Sequence, residues 1–190
     1  MVAGARELWL MISAPGMSTA ARVAAFLDAH HVASLATCGA HGPHAANVFY
    51  VHEQFALLWV SDPRSRHSAE LEAEPRIAAT VAPDCFDMDD VRGVQISGNA
   101  HVITSESRRV RARLLLEARY PCVKRLSRGA SSMKEPYADM EFYRLEAMRI
   151  VLIDNSRGFA HKETLELEAI EDAMCEQVAD NIEEEGIHSG

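Results

Sequence analysis

The sequence predicts a mainly β (α+β) domain: a small β-barrel with helices added at its periphery. Three observations point there. Six or seven short runs of strand length recur along the chain, broken by glycine, proline and polar turns. Segments with helical periodicity are few and lie between those runs. The 190 residues, 48% of them hydrophobic, suffice for one core and do not comfortably supply two. Aromatic residues make up only 6%, so that core must lean on Val, Ile, Leu, Ala and Met.

Residues 18–30 read as a helix, with Ser18 or Thr19 as its cap and Val23, Phe26 and Leu27 as its apolar stripe. Residues 32–38 suit a strand, 39–43 a turn with two glycines, and 44–51 a second strand, which together make a hairpin. FALLWVS, residues 55–61, is an almost continuous apolar run and so predicts a strand buried on both faces. A helix follows from about Pro63 to Ala73, then strands over 76–82 and 94–103. Residues 107–120 form a helix stopped by Pro121, with Val110 and Leu114 on one face and several arginines elsewhere. Two strands, 140–147 and 148–154, close the barrel, and 155–159 is a turn. Ile170, Met174, Val178 and Ile182, four apart, fit an amphipathic helix over 165–182, and a frayed acidic tail equally.

In domain terms, residues 1–16 are a loosely attached extension, 17–162 the barrel, and 163–190 an acidic helix or tail. The apolar patch Leu8–Ile12 has Glu7 ahead of it and no basic leader, so no signal peptide is expected. No apolar run reaches membrane-spanning length. Of the net charge of −9, most belongs to residues 163–190, which hold ten carboxylates and no Lys or Arg. The remainder is close to neutral. Such a balance argues against nucleic-acid binding, which is driven by basic neutralisation of phosphates.

Cys38, Cys85, Cys122 and Cys175 form no C-x-x-C pair, and reduced cytoplasmic thiols are the simpler reading. Cys38, His41 and His44 make C-x-x-H-x-x-H, but on a glycine-rich turn with no fourth ligand nearby, so no metal site is expected. There is no P-loop, GxGxxG, HExxH or convincing nucleophile–base pair, and catalytic residues stay unassigned.

The stretch SDPRSRHSAEL, residues 61–71, puts Arg64, Arg66 and His67 where an apolar run ends and a helix begins. The first turn of a helix carries unpaired N–H groups and partial positive charge. A cation there costs roughly 0.3–1 kcal/mol. A bound anion reverses the sign, and free N–H groups, the Ser65 hydroxyl and a guanidinium fork make a phosphate site. The alternative is a solvated helix whose charges satisfy Glu70 and Glu74.

The order of elements around that stretch resembles the pyridoxamine 5'-phosphate oxidase-like FMN-binding split-barrel family, over about Val32 to Phe159. In that family the segment after the third strand reads close to T-S-x-x-S-R-K-x-x-x-L-x-x-N-P. Here SDPRSRHSAELEAEP matches at Ser65 and Arg66, and His67 stands where Lys is usual. The resemblance therefore implies a split β-barrel of FMN-binding type, with the FMN phosphate held by Arg66 and His67 and with Arg64 as an added basic residue. It lays Ala46, Asn47, Val48 and Phe49 along the flavin ring and Ser61 near the ribityl chain or phosphate. The flavin-contacting Gln of the true oxidases falls at Gly93, with Gln95 two residues on.

RGVQISG, ARYPCVKRLS and IDNSRGFAHK look like landmarks of a poorly characterised bacterial branch of the family. By family analogy the protein is a cytoplasmic homodimer with cofactor sites at the interface. Phe159 and Lys162 are candidates to reach the partner's flavin; a plain turn is the alternative. The terminal strands lack the Trp and R-x-H of true pyridoxamine phosphate oxidases, so vitamin B6 oxidation is not expected. The implied activity is an FMN-dependent oxidoreductase acting on an unidentified small substrate. The basic residues of 107–128 offer a rim for an anionic partner such as a nicotinamide nucleotide, or a dock for the acidic tail, or a solvated face. The competing readings are a haem-binding relative and a non-enzymatic ligand-binding dimer on the same fold.

Overall fold

The computed structural model describes residues 16–127 and 140–167, and of 125–127 only the backbone. The expected N-terminal extension and the Ile170–Ile182 stripe lie outside the described residues.

Helix α1 (Thr19–Ala29) is capped by Ser18, whose hydroxyl accepts from the Ala21 N–H, and buries Val23, Phe26 and Leu27 as the periodicity predicts. Strands β1 (Val32–Gly39) and β2 (Gly42–Phe49) form the hairpin, with a turn tighter than expected. Gly42 sits at φ +86, a conformation that costs other residues strain. Then follow β3 (Val51–Glu53), β4 (Ala56–Ser61), α2 (Arg66–Ala73), β5 (Arg76–Val81) and β6 (Arg92–Val102). Helices α3 (Glu106–Arg119) and α4 (Pro121–Ser127), then β7 (Glu141–Asp154) and β8 (Lys162–Glu166), complete the chain, with short 3-10 turns at Met88–Asp90 and Asn155–Arg157.

The eight strands form one antiparallel sheet in the order β2-β1-β5-β6-β7-β4-β3, with β8 also on β7, and it curls around a single main core. β4 is buried along nearly its whole length, as its apolar run predicts. Trp59 lies at its centre, stacked on Tyr143 at 5.5 Å between ring centroids.

Four expectations need correction. The closing strands are one, β7, of 14 residues. Its alternation changes phase because Ser97 pairs with Arg149 and Gly98 with Ala147, leaving Met148 without an opposite residue in β6. A Cβ at Gly98 would stand 1.9 Å from the Glu146 carbonyl oxygen, so only glycine fits opposite this bulge. Pro121 ends α3 but opens α4, because its missing N–H costs nothing at a first helical position. Helix α3 turns Ala112 and Leu116 inward, against Val51, Leu58, Ile103, Tyr120 and Phe142, and leaves Val110 and Leu114 exposed. Residues 162–166 are a strand, so the sheet continues past Lys162.

The arginines of α3 mostly tether it. Arg119 donates to the carbonyls of Leu27, Asp28 and His30, Arg111 pairs with Glu53 at 2.9 Å, and Arg109 with Glu141 at 3.1 Å. Tyr120 donates its hydroxyl to the Tyr50 carbonyl at 2.5 Å, closing the helix onto the barrel.

Candidate anion site and its relatives

The apolar run of β4 ends at buried Ser61, and the chain turns through Asp62–Arg64 into α2. Asp62 fixes that turn, accepting from the Arg64 backbone N–H at 2.8 Å and from its guanidinium at 2.9 and 3.0 Å. Ser65 caps the helix, which begins at Arg66, so Pro63, where the helix was expected to start, lies in the turn. The Ser65 hydroxyl accepts from the Ser68 N–H and donates to the Ser68 hydroxyl at 2.8 Å.

His67 points back at the strand end. Its Nε2 lies 2.6 Å from the Ser61 Oγ and 3.1 Å from the Ser65 Oγ. Arg66 turns along the helix, donating from Nε to Glu70 Oε1 at 2.7 Å and from its terminal nitrogen to the Gly42 carbonyl at 3.1 Å. The other Glu70 oxygen accepts from Thr37 Oγ1 at 2.6 Å. Gly39 makes room for this arrangement, since a Cβ there would stand 2.6 Å from Glu70 Cγ. The Thr37 hydroxyl, then the Arg66 guanidinium, hold the Glu70 carboxyl below the usual carboxylate range.

A second imidazole completes the corner. His44 of β2 stacks parallel to His67, with ring centroids 6.3 Å apart and planes 9° apart. Its Nδ1 is buried without a hydrogen-bond partner and lies 3.9 Å from Glu70. Burial lowers the pKa of His67, and the neighbouring His44 pushes the same way, while Glu70 opposes both.

The remaining sequence candidates fall in two other places. Alternation along β2 sends His44, Ala46 and Val48 toward the interior and Asn47 and Phe49 outward, so these side chains do not share one face. Asn47 accepts from the Ser34 hydroxyl at 2.7 Å. Register then carries a row straight across the sheet: Asn47, Ser34, Thr80, Gln95, Val151, Thr164. The next row holds Ala45, Ala36, Ala78 and Ser97 and ends in Arg149 and Glu166, so the outer face is small-chained along β2, β1 and β5, with a shallow groove of about 390 Å³ that includes Ser34, Thr80, Gln95 and Arg149 in its lining. Phe159 is exposed beside Asp89, Arg92 and Asn155, and Lys162 pairs with Ile153 at the start of β8; neither meets the His67 corner within one chain.

Sequence reasoning missed Thr37, His44 and Glu70 as one cluster with His67. His44 was visible only as a would-be metal ligand, and among the described residues no group of three such side chains is placed to hold a metal. Strand alternation was the usable signal, because Thr37 pairs with His44 in the hairpin register.

The sequence profile described as pyridoxamine 5'-phosphate oxidase matches residues 19–155. The chain belongs to the pyridoxamine 5'-phosphate oxidase-like family. A UPF0306 protein of Serratia proteamaculans is 28% identical over 143 residues, 74% of this chain and 90% of that one. Among solved structures, a conserved hypothetical protein of Mycobacterium tuberculosis aligns with a TM-score of 0.61 at 21% identity, over 83% of this chain and 94% of that one. A haem-binding protein from Mycobacterium smegmatis aligns at 0.62 and 19% identity, over 79% of this chain and 59% of that one. Both share the fold, a split barrel of the pyridoxamine 5'-phosphate oxidase-like type. The residues at the β4–α2 corner fit an oxyanion such as the phosphate of FMN, the cofactor this family commonly carries. Two hydroxyls, a guanidinium one residue from the cap, and the orphaned His44 Nδ1 are all present. No helix among the described residues is long and apolar enough to cross a membrane.

Proposed function

We propose that this protein is an FMN-binding flavoprotein, an oxidoreductase working as a homodimer on a small substrate. The observation that carries the reading is the convergence of the Ser61 and Ser65 hydroxyls on His67, one residue past Arg66, at the capped start of α2. In this reading Ser61, Ser65, Arg66 and His67 hold the phosphate, and Arg64 adds positive charge while staying paired with Asp62. FMN, when bound, supplies the hydride chemistry, and the protein binds it, orients it and excludes water. The outer face, with Asn47 and Gln95 in one row among small side chains, suits close apposition of a second copy and of a planar ring. Phe159 and Lys162, apart from the corner in their own chain, then serve the partner's site.

Quenching of flavin fluorescence on titration with the protein tests this reading. Tight saturable binding is expected, and Arg66→Ala should weaken it by roughly tenfold to a hundredfold, the worth of one charge-assisted hydrogen bond. Unchanged affinity in that variant would remove Arg66 from the phosphate site. A haem-binding relative is the second reading, favoured by two imidazoles at one corner and by the fold shared with the Mycobacterium smegmatis protein. A Soret band in freshly purified protein would select it over flavin bands, and neither band, with no flavin binding, would select a non-enzymatic dimer.

A further inference from the structure

The charges of the SDPRSRH stretch are already spent within the protein. Arg64 forms a fork with Asp62, and Arg66 pairs with Glu70 at 2.7 Å, so each guanidinium has a carboxylate partner close in sequence. Taken together these four groups sum to zero. A dianionic phosphate brought to this corner therefore meets hydroxyls and dipoles but no net cation, unless the imidazoles supply one. A lysine in place of His67 would carry that charge permanently.

Two imidazoles stand ready. His44 and His67 come from different elements, β2 and α2, and stack in parallel at 6.3 Å. The Nδ1 of His44 is buried with no hydrogen-bond partner, which is costly in a protein that leaves it so and is relieved by an anion or by protonation against one. The groups facing the pair are the Ser61 hydroxyl from β4, the Ser65 hydroxyl from the turn and the Glu70 carboxylate from α2. Glu70 is the acidic one among them, and it already holds Arg66 and accepts from Thr37 of β1.

We infer that His44 is a phosphate-site residue, and that anion binding at this corner takes up a proton onto the His44–His67 pair. The inference rests on the FMN reading for the identity of the anion but not for the coupling. With no ligand, burial and the neighbouring His44 lower the pKa of His67, against the opposing pull of Glu70. An incoming dianion reverses both effects, so proton and phosphate bind together. By linkage, affinity falls as pH rises wherever the anion-bound corner holds one more proton than the free corner, about tenfold per pH unit for one proton taken up.

The test is calorimetry of FMN binding from about pH 6.5 to 8.5, in buffers of different ionisation enthalpy. A phosphate monoester has its second pKa near 6, so above about pH 7 the ligand's own titration is nearly complete. Sulfate, a dianion throughout, is titrated in parallel. The expected result is uptake of close to one proton per FMN and affinity falling about tenfold from about pH 7.5 to 8.5. His44→Gln should cut proton uptake at least by half, and His67→Lys should make affinity nearly independent of pH and tighter at the alkaline end. FMN binding with no proton uptake, or with uptake unchanged in His44→Gln, overturns the inference and leaves the FMN reading standing. Proton-coupled sulfate binding without any flavin binding supports the inference and removes the FMN reading. Failure of both anions to bind overturns the two together.

Discussion

The inner corner at His67 and the outer face at Gln95 are built from the same strands and could hardly differ more. At the corner, Thr37 and His44 point inward toward Glu70, which accepts from Thr37, pairs with Arg66 and lies 3.9 Å from His44. One residue away along each strand, Ala36 and Ala45 point outward into a row of small side chains with little to hold them. The difference teaches that period-two alternation lets a single hairpin carry an ionic cluster on one face and a row of small side chains on the other. It also means that neighbouring residues in this sequence cannot be assigned to one site as a block.

Substitutions on the two faces should separate accordingly. The largest effect belongs to the interior: Leu35→Ala, at a buried position between Thr37 and Ala33, should cost about 2–5 kcal/mol in urea unfolding. Second is the outer face itself. Ala78→Arg places a long cation in the row of small side chains and should convert the proposed dimer to a monomer in light scattering, with the fold intact by circular dichroism; a dimer that persists in the variant would move the proposed interface elsewhere. Third is Glu70→Gln. The Glu70 carboxyl is held below its usual range, so its stabilisation is present at neutral pH and lost as pH falls through the depressed folded value. The variant should lose stability at about pH 7 and converge with the native protein in acid, while binding FMN more tightly because Arg66 is released. The smallest effect is Thr80→Ala, exposed in the outer row, which should shift stability by no more than about 0.5 kcal/mol.

Much of the fold was legible where one physical signal dominated. The unbroken apolar run of β4 marked a doubly buried strand, and Ser18 marked the start of α1 within a residue, while α2 begins at Arg66, three residues past the expected Pro63. Legibility failed where two signals crossed. In β7 the inward residues Tyr143 and Leu145 give way to Ile150 and Leu152 after a change of phase, which looks like two strands until Met148 is recognised as a bulge. In α3 Ala112 and Leu116 face the barrel while Val110 and Leu114 are exposed, and the arginines anchor the helix by hydrogen bonds that periodicity does not encode. β8 alternates in charge rather than hydrophobicity and was read as the beginning of the tail. At the site, Ser65, Arg66 and His67 could be found because they are contiguous. Thr37 and His44 reach them from β1 and β2, through Glu70 one turn along the same helix, and only register brings the three elements together.

The bulge at Met148 has a consequence for shortened versions of this chain. Beyond it the free edge of β7 passes from β4 to β8, and five rungs, Arg149 to Ile153, depend on residues 162–166 for their partners. Truncation ahead of Lys162 would bare that length of ladder, with Val151 and Ile153 along it, and an uncovered edge of this kind recruits other chains into β-aggregates.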